Sequence, residues 1–180
     1  MKKLFFTAIV LALFQSSVFA QQTSLENPRG EVRLNFLNTI LLGSVEVGYE
    51  QFFADDQSIG AEIHLNDRFG YRTAGDGRNF SATSFLVSYN FYFAGNDIAK
   101  LHVSPFFKYR FGEFSEAIDN TTSVTSLNSG HIGLMAGYRW NLNNFAFGPF
   151  AAVSRAFSSE VANRFSAVEL KAGFNVGYRF

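Results

Sequence analysis

From Val168 to Phe180 apolar side chains occupy every second position: Val168, Leu170, Ala172, Phe174, Val176, Tyr178 and Phe180. Glu169, Lys171, Gly173, Asn175, Gly177 and Arg179 lie between them. A strand sends successive side chains to opposite faces, so this stretch has one apolar face and one face of charge and glycine. At ~3.3 Å per residue it is much longer than the usual strand of roughly five or six residues. A tilted strand crosses a bilayer core in ~9–11 residues, and this one is long enough.

Seven earlier stretches repeat the period of two: Glu31–Asn38, Ser44–Phe53, Ser58–Asn66, Phe80–Phe93, Leu101–Phe111, Ser129–Leu142 and Phe145–Phe157. The last of these is the least regular, with Arg155 on the face of Phe145, Phe147 and Val153. Between Gln21 and Phe180 no stretch carries a convincing 3.6-residue apolar repeat, so no substantial helix is expected. The connections alternate in length. Short turns are expected at Ala54–Gln57, Ala94–Lys100 and Asn143–Asn144. Longer loops are expected at Asn38–Gly43, Arg68–Asn79, Gly112–Asn128 and Ser158–Phe165. With both ends on the short-turn side, this is the alternation of a barrel with short periplasmic turns and longer outer loops. The expected fold is all-β: an eight-stranded antiparallel up-and-down transmembrane β-barrel. The Leu37–Leu42 run is apolar for a loop and leaves the division of the first two strands open.

A soluble barrel with an apolar interior has the same period. Three features favour apolar residues outside. Gly48, Gly60, Gly133, Gly137, Gly173 and Gly177 share the polar face, as a narrow interior requires. Aromatic residues gather at both ends of the strands, with Phe69, Tyr71, Phe80, Phe111, Phe157 and Phe165 as the outer girdle. Charge is nearly absent from the apolar face, Arg155 excepted; near an outer loop it can snorkel.

Composition adds a compartment. Residues 1–20 have the three-part pattern of a secretory signal: Lys2 and Lys3, an apolar run from Leu4 to Phe14, then Val18-Phe19-Ala20. Residues 21–30 read as a periplasmic lead-in and residues 31–180 as the barrel domain. The chain has no cysteine, which excludes disulfides and a lipid-modified cysteine anchor. The full chain carries 15 Lys+Arg and 15 Asp+Glu; without Lys2 and Lys3 the balance is 13 against 15, or −2. That charge gives no sign of a nucleic-acid partner.

The chemistry-bearing residues fall on the polar face. Arg33, Lys108, Arg110, Arg139, Lys171 and Arg179 stand against Glu46, Glu50, Glu62 and Glu169. Eight strands leave room only for side chains, so a plugging salt-bridge network is the expected role; the alternative is an ion path or proton relay. His64, His102 and His131 sit on different strands and are read as hydrogen-bonding groups, with no metal site and no cofactor expected. His102 and Ser104 invite comparison with a barrel lipid A deacylase, whose His and Ser face lipid near the outer rim. Here both fall on the polar face near the periplasmic end, so no catalytic residues are assigned.

The mature sequence resembles the small outer-membrane β-barrels typified by the OmpA membrane domain and OmpX. The opening GEVRLN…SVEVGYEQ followed by SIGAEI resembles more narrowly a family of secreted barrel proteins of unknown function. The resemblance implies an integral bacterial outer-membrane location after signal cleavage, with outer-membrane lipid, the barrel-assembly machinery and periplasmic chaperones as partners. It also implies that Tyr178 and Phe180 form the terminal signal read by that machinery. The expected function is non-enzymatic: a structural role, or surface interaction with an extracellular ligand through loops 68–79 and 112–128. The alternative is passage of a small hydrophobic molecule or ion, and less so a lipid-modifying enzyme.

Overall fold

The alternating stretches form antiparallel strands because each can hide its polar face only by closing a ring. The computed structural model describes residues 29–67, 78–96, 98–118 and 121–180. The expected signal, most of the lead-in and nearly all of loop 68–79, with Phe69 and Tyr71, lie outside the described residues. The elements are β1 (Gly30–Asn35), α1 (Phe36–Leu42), β2 (Val45–Ala54), β3 (Gln57–Leu65), β4 (Arg78–Gly95), β5 (Ala99–Ile118), β6 (Thr121–Ser126), β7 (Ser129–Leu142), β8 (Phe145–Ala156), α2 (Ser159–Arg164) and β9 (Val168–Arg179).

Each strand pairs with its chain neighbour, β4 pairs with β5, and β9 returns to β1. The result is an eight-strand ring. β6 is not a ninth stave. Ser126 pairs with Glu113 and Ser129 with Arg110, so β6 and β7 run along β5 as one strand interrupted at Leu127 and Asn128. Asn128 bridges the interruption, its Oδ1 accepting from the Gly112 amide at 3.1 Å. The expected loop Gly112–Asn128 is therefore a β-hairpin standing above the ring.

The helices are the other departure. Strand β1 ends at Asn35, and the expected loop Asn38–Gly43 is mostly α1, seven residues long. Asn35 caps it by accepting from the Asn38 amide at 3.2 Å, and Gly43, with φ of 63°, ends it in the left-handed region. Within Ser158–Phe165 lies α2, six residues capped by Ser158. Neither is a substantial helix; both are short connections held by local caps.

The ring is inverted relative to a soluble barrel. Val47, Ile63, Val87, Phe107, Leu134 and Leu170 are all exposed outside it. Glu50, Lys108, Arg110 and His131 are fully buried inside. Arg155 points outward beside Ile132 and Val168. Aromatic pairs band the short-turn end: Tyr138 on Trp140 at 4.7 Å, Phe145 on Tyr178 at 5.5 Å and Tyr49 near Phe180 at 6.4 Å. At the other end Phe111 and Phe157 face outward, but Phe80 and Phe165 do not. Phe80, Ala82, Phe114, Leu127, Ala156 and Val161 form a small apolar core over the ring, with Phe165 packed against it. Taken into this cluster with Val161 of α2, the Phe80 and Phe165 rings leave the expected girdle.

Candidate functional site

The lumen gathers the polar positions of all eight staves. Near the short-turn end Arg33 donates to Glu50 at 2.6 Å and to Glu62 at 2.5 Å. Glu50 also accepts from Tyr92 at 2.6 Å and from Ser58, and Arg139 approaches it at 3.5 Å. Arg139 donates to the Tyr92 hydroxyl at 2.6 Å and pairs with Glu31, which lies 3.9 Å from Arg179. The Arg139 guanidinium also stacks 5.1 Å from the Phe52 ring centre, Phe52 sharing the inward parity of Glu50.

The network continues upward. Glu62 accepts from His64 Nε2 at 2.8 Å, while Lys171 lies 3.2 Å from His64 Nδ1 and 2.8 Å from Glu46. A carboxylate at Nε2 and an ammonium donor at Nδ1 match the tautomer that carries its proton on Nε2. Asn35 and Asn38 donate to Glu46 at 2.8 Å and 3.1 Å. On the far side Asp67 accepts from Ser84 at 2.6 Å and from Arg110 at 2.8 Å. Glu169 accepts from Lys108 at 2.7 Å and lies 2.9 Å from Arg110.

All ten charged residues singled out from the polar face thus meet in the lumen. Two acids complete the set. Glu31 shares the parity of Arg33 and could have been read from it. Asp67 could not, because Asn66 adopts φ of 57° and swings the next side chain inward out of step. Counting both, six acids face six bases among the described residues, so their formal charges balance. Tyr92, at the parity of Ser88 and Asn90, is the remaining overlooked member.

An apolar layer interrupts the charges. Leu86, Phe106, Met135, Phe150 and Ala152 pack together inside the ring. A cavity of about 10 Å³ lies between them and His64, Lys108, Glu169 and Lys171. It is water-sized. Glu46, His64 and Asp67 offer three ligand atoms within 4.8 Å of one another. Lys171 already bonds two of these residues and Arg110 the third, so the donor set is committed to internal ion pairs. His102 Nδ1 lies 3.2 Å from Ser104 Oγ, both buried, and among the described residues no carboxylate bonds that histidine. Such a pair lacks the orienting third group of a nucleophilic site.

Above the ring, Glu116 takes two guanidinium groups, Arg78 at 2.6 Å and Arg164. The hydrogen bond from Arg78 is the main reason its carboxyl is held below the ordinary range. Tyr178 and Phe180 lie at the seam that closes the ring. Phe180 and Gly30 exchange backbone hydrogen bonds of 2.9 Å and 3.0 Å.

No protein-family model matches the sequence, and no curated protein matches it. Among solved structures, the N-terminal β-barrel domain of Pseudomonas aeruginosa OprF is similar, at 13% identity and a TM-score of 0.52, over 84% of this chain and 96% of that one. Neisserial surface protein A is similar at 13% identity and a TM-score of 0.49, over 84% and 93%. The Yersinia pestis attachment invasion locus protein Ail is similar at 13% identity and a TM-score of 0.48, over 84% and 95%. With its closed eight-strand ring and its likeness to the OprF domain, the chain has the fold of the small outer-membrane β-barrels.

Proposed function

We propose that the protein is an integral outer-membrane barrel without enzymatic activity, acting as a structural element and through surface interactions of its outer hairpin. The observation that carries this reading is the inversion of the barrel: a belt of exposed apolar side chains around a neutral, filled lumen. Such a belt far exceeds the apolar patch of a few hundred Å² that a water-facing monomer tolerates. A filled interior speaks against an ion path, since a passing ion would have to break buried pairs at several kcal/mol each.

The hairpin follows from strand length. β5 has 20 residues. That is ~68 Å of extended chain, whereas ~42 Å suffices to cross a 30 Å core at a 45° tilt. The remaining ~25 Å of β5, with the upper part of β4 and all of β6, projects into the outer medium. β6 is mostly exposed, and it is the last strand of the sheet. A partner meeting the cell surface reaches it first.

The test combines washing and shaving. Membranes from expressing cells are washed with alkaline carbonate, and intact cells are treated with protease. The expected result is retention in the membrane, with cleavage confined to residues 112–128 and the loop 68–77. Release by carbonate, or a hairpin that resists protease on intact cells but is cut in spheroplasts, would overturn the reading.

A further inference from the structure

Among the described residues, the wall of the barrel is interrupted where β1 ends beside β9. β9 runs from Val168 to Arg179, and β8 accompanies it up to Val168. On its other side β1 pairs only with Asn175–Arg179, because β1 stops at Asn35. Gly30 and Phe180 exchange both backbone bonds, so even-numbered residues of β9 direct their peptide groups towards β1. Val176 and Tyr178 find partners there. Phe174 is next, and its amide is taken by the Asn35 side chain at 3.3 Å. Ala172 and Leu170 follow, with no strand partner on that side among the described residues.

Helix α1 stands in the gap, packed against β9 and β2. Its backbone bonds are satisfied within its own turns, so it cannot continue the ladder. Seven residues make ~10 Å of helix, while the strand needed beside Val168–Phe174 would extend ~23 Å. Phe36, Leu37, Ile40 and Leu41 point outward. Asn38 points inward to Glu46. The helix is held by the Asn35 cap, the Asn38–Glu46 contact, Thr39 Oγ1 with the carbonyls of Asn35 at 2.9 Å and Ser44 at 3.3 Å, the Ser44 amide donating to the Asn38 carbonyl at 3.3 Å, and Asn66 Nδ2 donating to the Gly43 carbonyl at 3.0 Å. Gly43, in the left-handed region, sits at its far end.

We propose that α1 is the movable cover of a lateral opening, through which an acyl chain of an outer-leaflet lipid reaches the apolar layer of the lumen. The inference rests on the outer-membrane reading. The other two routes are shut, one by the apolar cap around Phe114 and Leu127, the other by the Arg139–Tyr92–Glu50 cluster. Behind α1 lie Lys171 and His64, then the small cavity, then Leu86, Phe106, Met135 and Phe150. A neutral lumen offers no net attraction to an ion, whereas this layer suits a hydrocarbon chain. The cavity is water-sized, so the chain enters only when α1 swings out and flexible Met135 yields. Swinging α1 out would expose the edge at Ala172 and Leu170 to hydrocarbon, which makes the covered state the resting one.

Photolabelling tests this. The purified protein is placed in phospholipid vesicles whose acyl chains carry a diazirine, irradiated, and its adducts are mapped by peptide mass spectrometry. The expected adducts fall on outward Phe107, Leu134 and Val153 and also on inward Phe106, Met135 or Phe150. Asn35→Ala removes the helix cap, the partner of the Phe174 amide and one donor to Glu46, and raises inward labelling about fivefold, as loss of a ~1 kcal/mol cap alone allows. Labelling confined to outward residues overturns the opening and leaves the membrane placement intact. No labelling at all sinks the membrane placement as well. Inward labelling that Asn35→Ala leaves unchanged overturns the role of α1. If Asn35→Ala fails to fold, as judged by heat-modifiable gel mobility, the wild-type adduct map decides alone.

Discussion

Glu50 is the acid on which the lower half of the lumen converges, and Glu50→Gln is the sharpest perturbation of it. The side chain is fully buried and takes Arg33, Tyr92 and Ser58 as donors, with Arg139 at 3.5 Å. Glutamine keeps the shape but loses the charge, and its amide nitrogen must face a guanidinium or a hydroxyl donor. Arg33 retains Glu62 and Arg139 retains Glu31, so the loss is partial. Breaking a buried pair costs ~3–5 kcal/mol, and the retained partners place this case at the lower end, about 3 kcal/mol. That is more than a hundredfold in the folding equilibrium. Urea titration of the barrel in lipid vesicles, followed by Trp140 fluorescence and heat-modifiable mobility, reads it directly. The double change Glu50→Gln with Arg139→Gln should recover part of the loss, because it restores neutrality. A single-mutant cost below about 1 kcal/mol, the range of solvated surface pairs, would refute the picture of a dry, interlocked lumen.

Two further outcomes follow from the ends of the molecule. Phe180→Ala leaves the Gly30 backbone bonds available but removes the ring beside Tyr49 and the terminal aromatic of the proposed assembly signal. Outer-membrane levels measured by immunoblot should fall severalfold while refolding of purified protein in detergent changes little; equal loss in both assays would assign Phe180 to stability alone. Glu116, held below its ordinary range by Arg78 and Arg164, contributes stability that is present above the unfolded carboxylate value of 4.5 and is lost as pH falls through the lowered folded value. Protease sensitivity of the hairpin should therefore rise as pH falls below 4.5, and Glu116→Gln should remove that dependence; an unchanged profile in the variant would place the titrating group elsewhere.

The ring was legible because its signal is local. Alternation over a dozen residues, with connections of alternating length, specifies both the number of staves and the face that each presents. The ten lumen charges were legible for the same reason. What escaped required contacts between distant segments. Phe80, Phe114, Leu127 and Val161 come from four elements, and no one stretch shows that they meet. The apolar layer did leave a trace: Phe85-Leu86-Val87, Phe106-Phe107 and Leu134-Met135-Ala136 are apolar on successive positions, the mark of a strand buried on both faces. The hairpin left none, because β6 is held by its backbone ladder to β5 and exposes both faces, so its residues follow no period. α1 offered too few turns for a helical repeat, though Asn35 and Gly43 stand at its two ends as stop signals.

Paired strands β4 and β5 both run from the lumen to the outer surface. β5 carries Lys108 and Arg110 into the charge network, then Phe114 and Glu116 into the cap, within nine residues of continuous backbone. Between the two lies Gly112, whose position is forced: an added Cβ would fall 2.6 Å from the Ala82 Cα. The two strands approach so closely there that β5 cannot bend without moving β4, which carries Ser84 onto Asp67. A partner that pulls on the hairpin therefore strains the Asp67 cluster before it separates the staves. The many short ion pairs of the lumen resist that strain because each leaves a buried charge unpaired when stretched. On the proposed reading, the charged plug serves as the anchor of the outer hairpin.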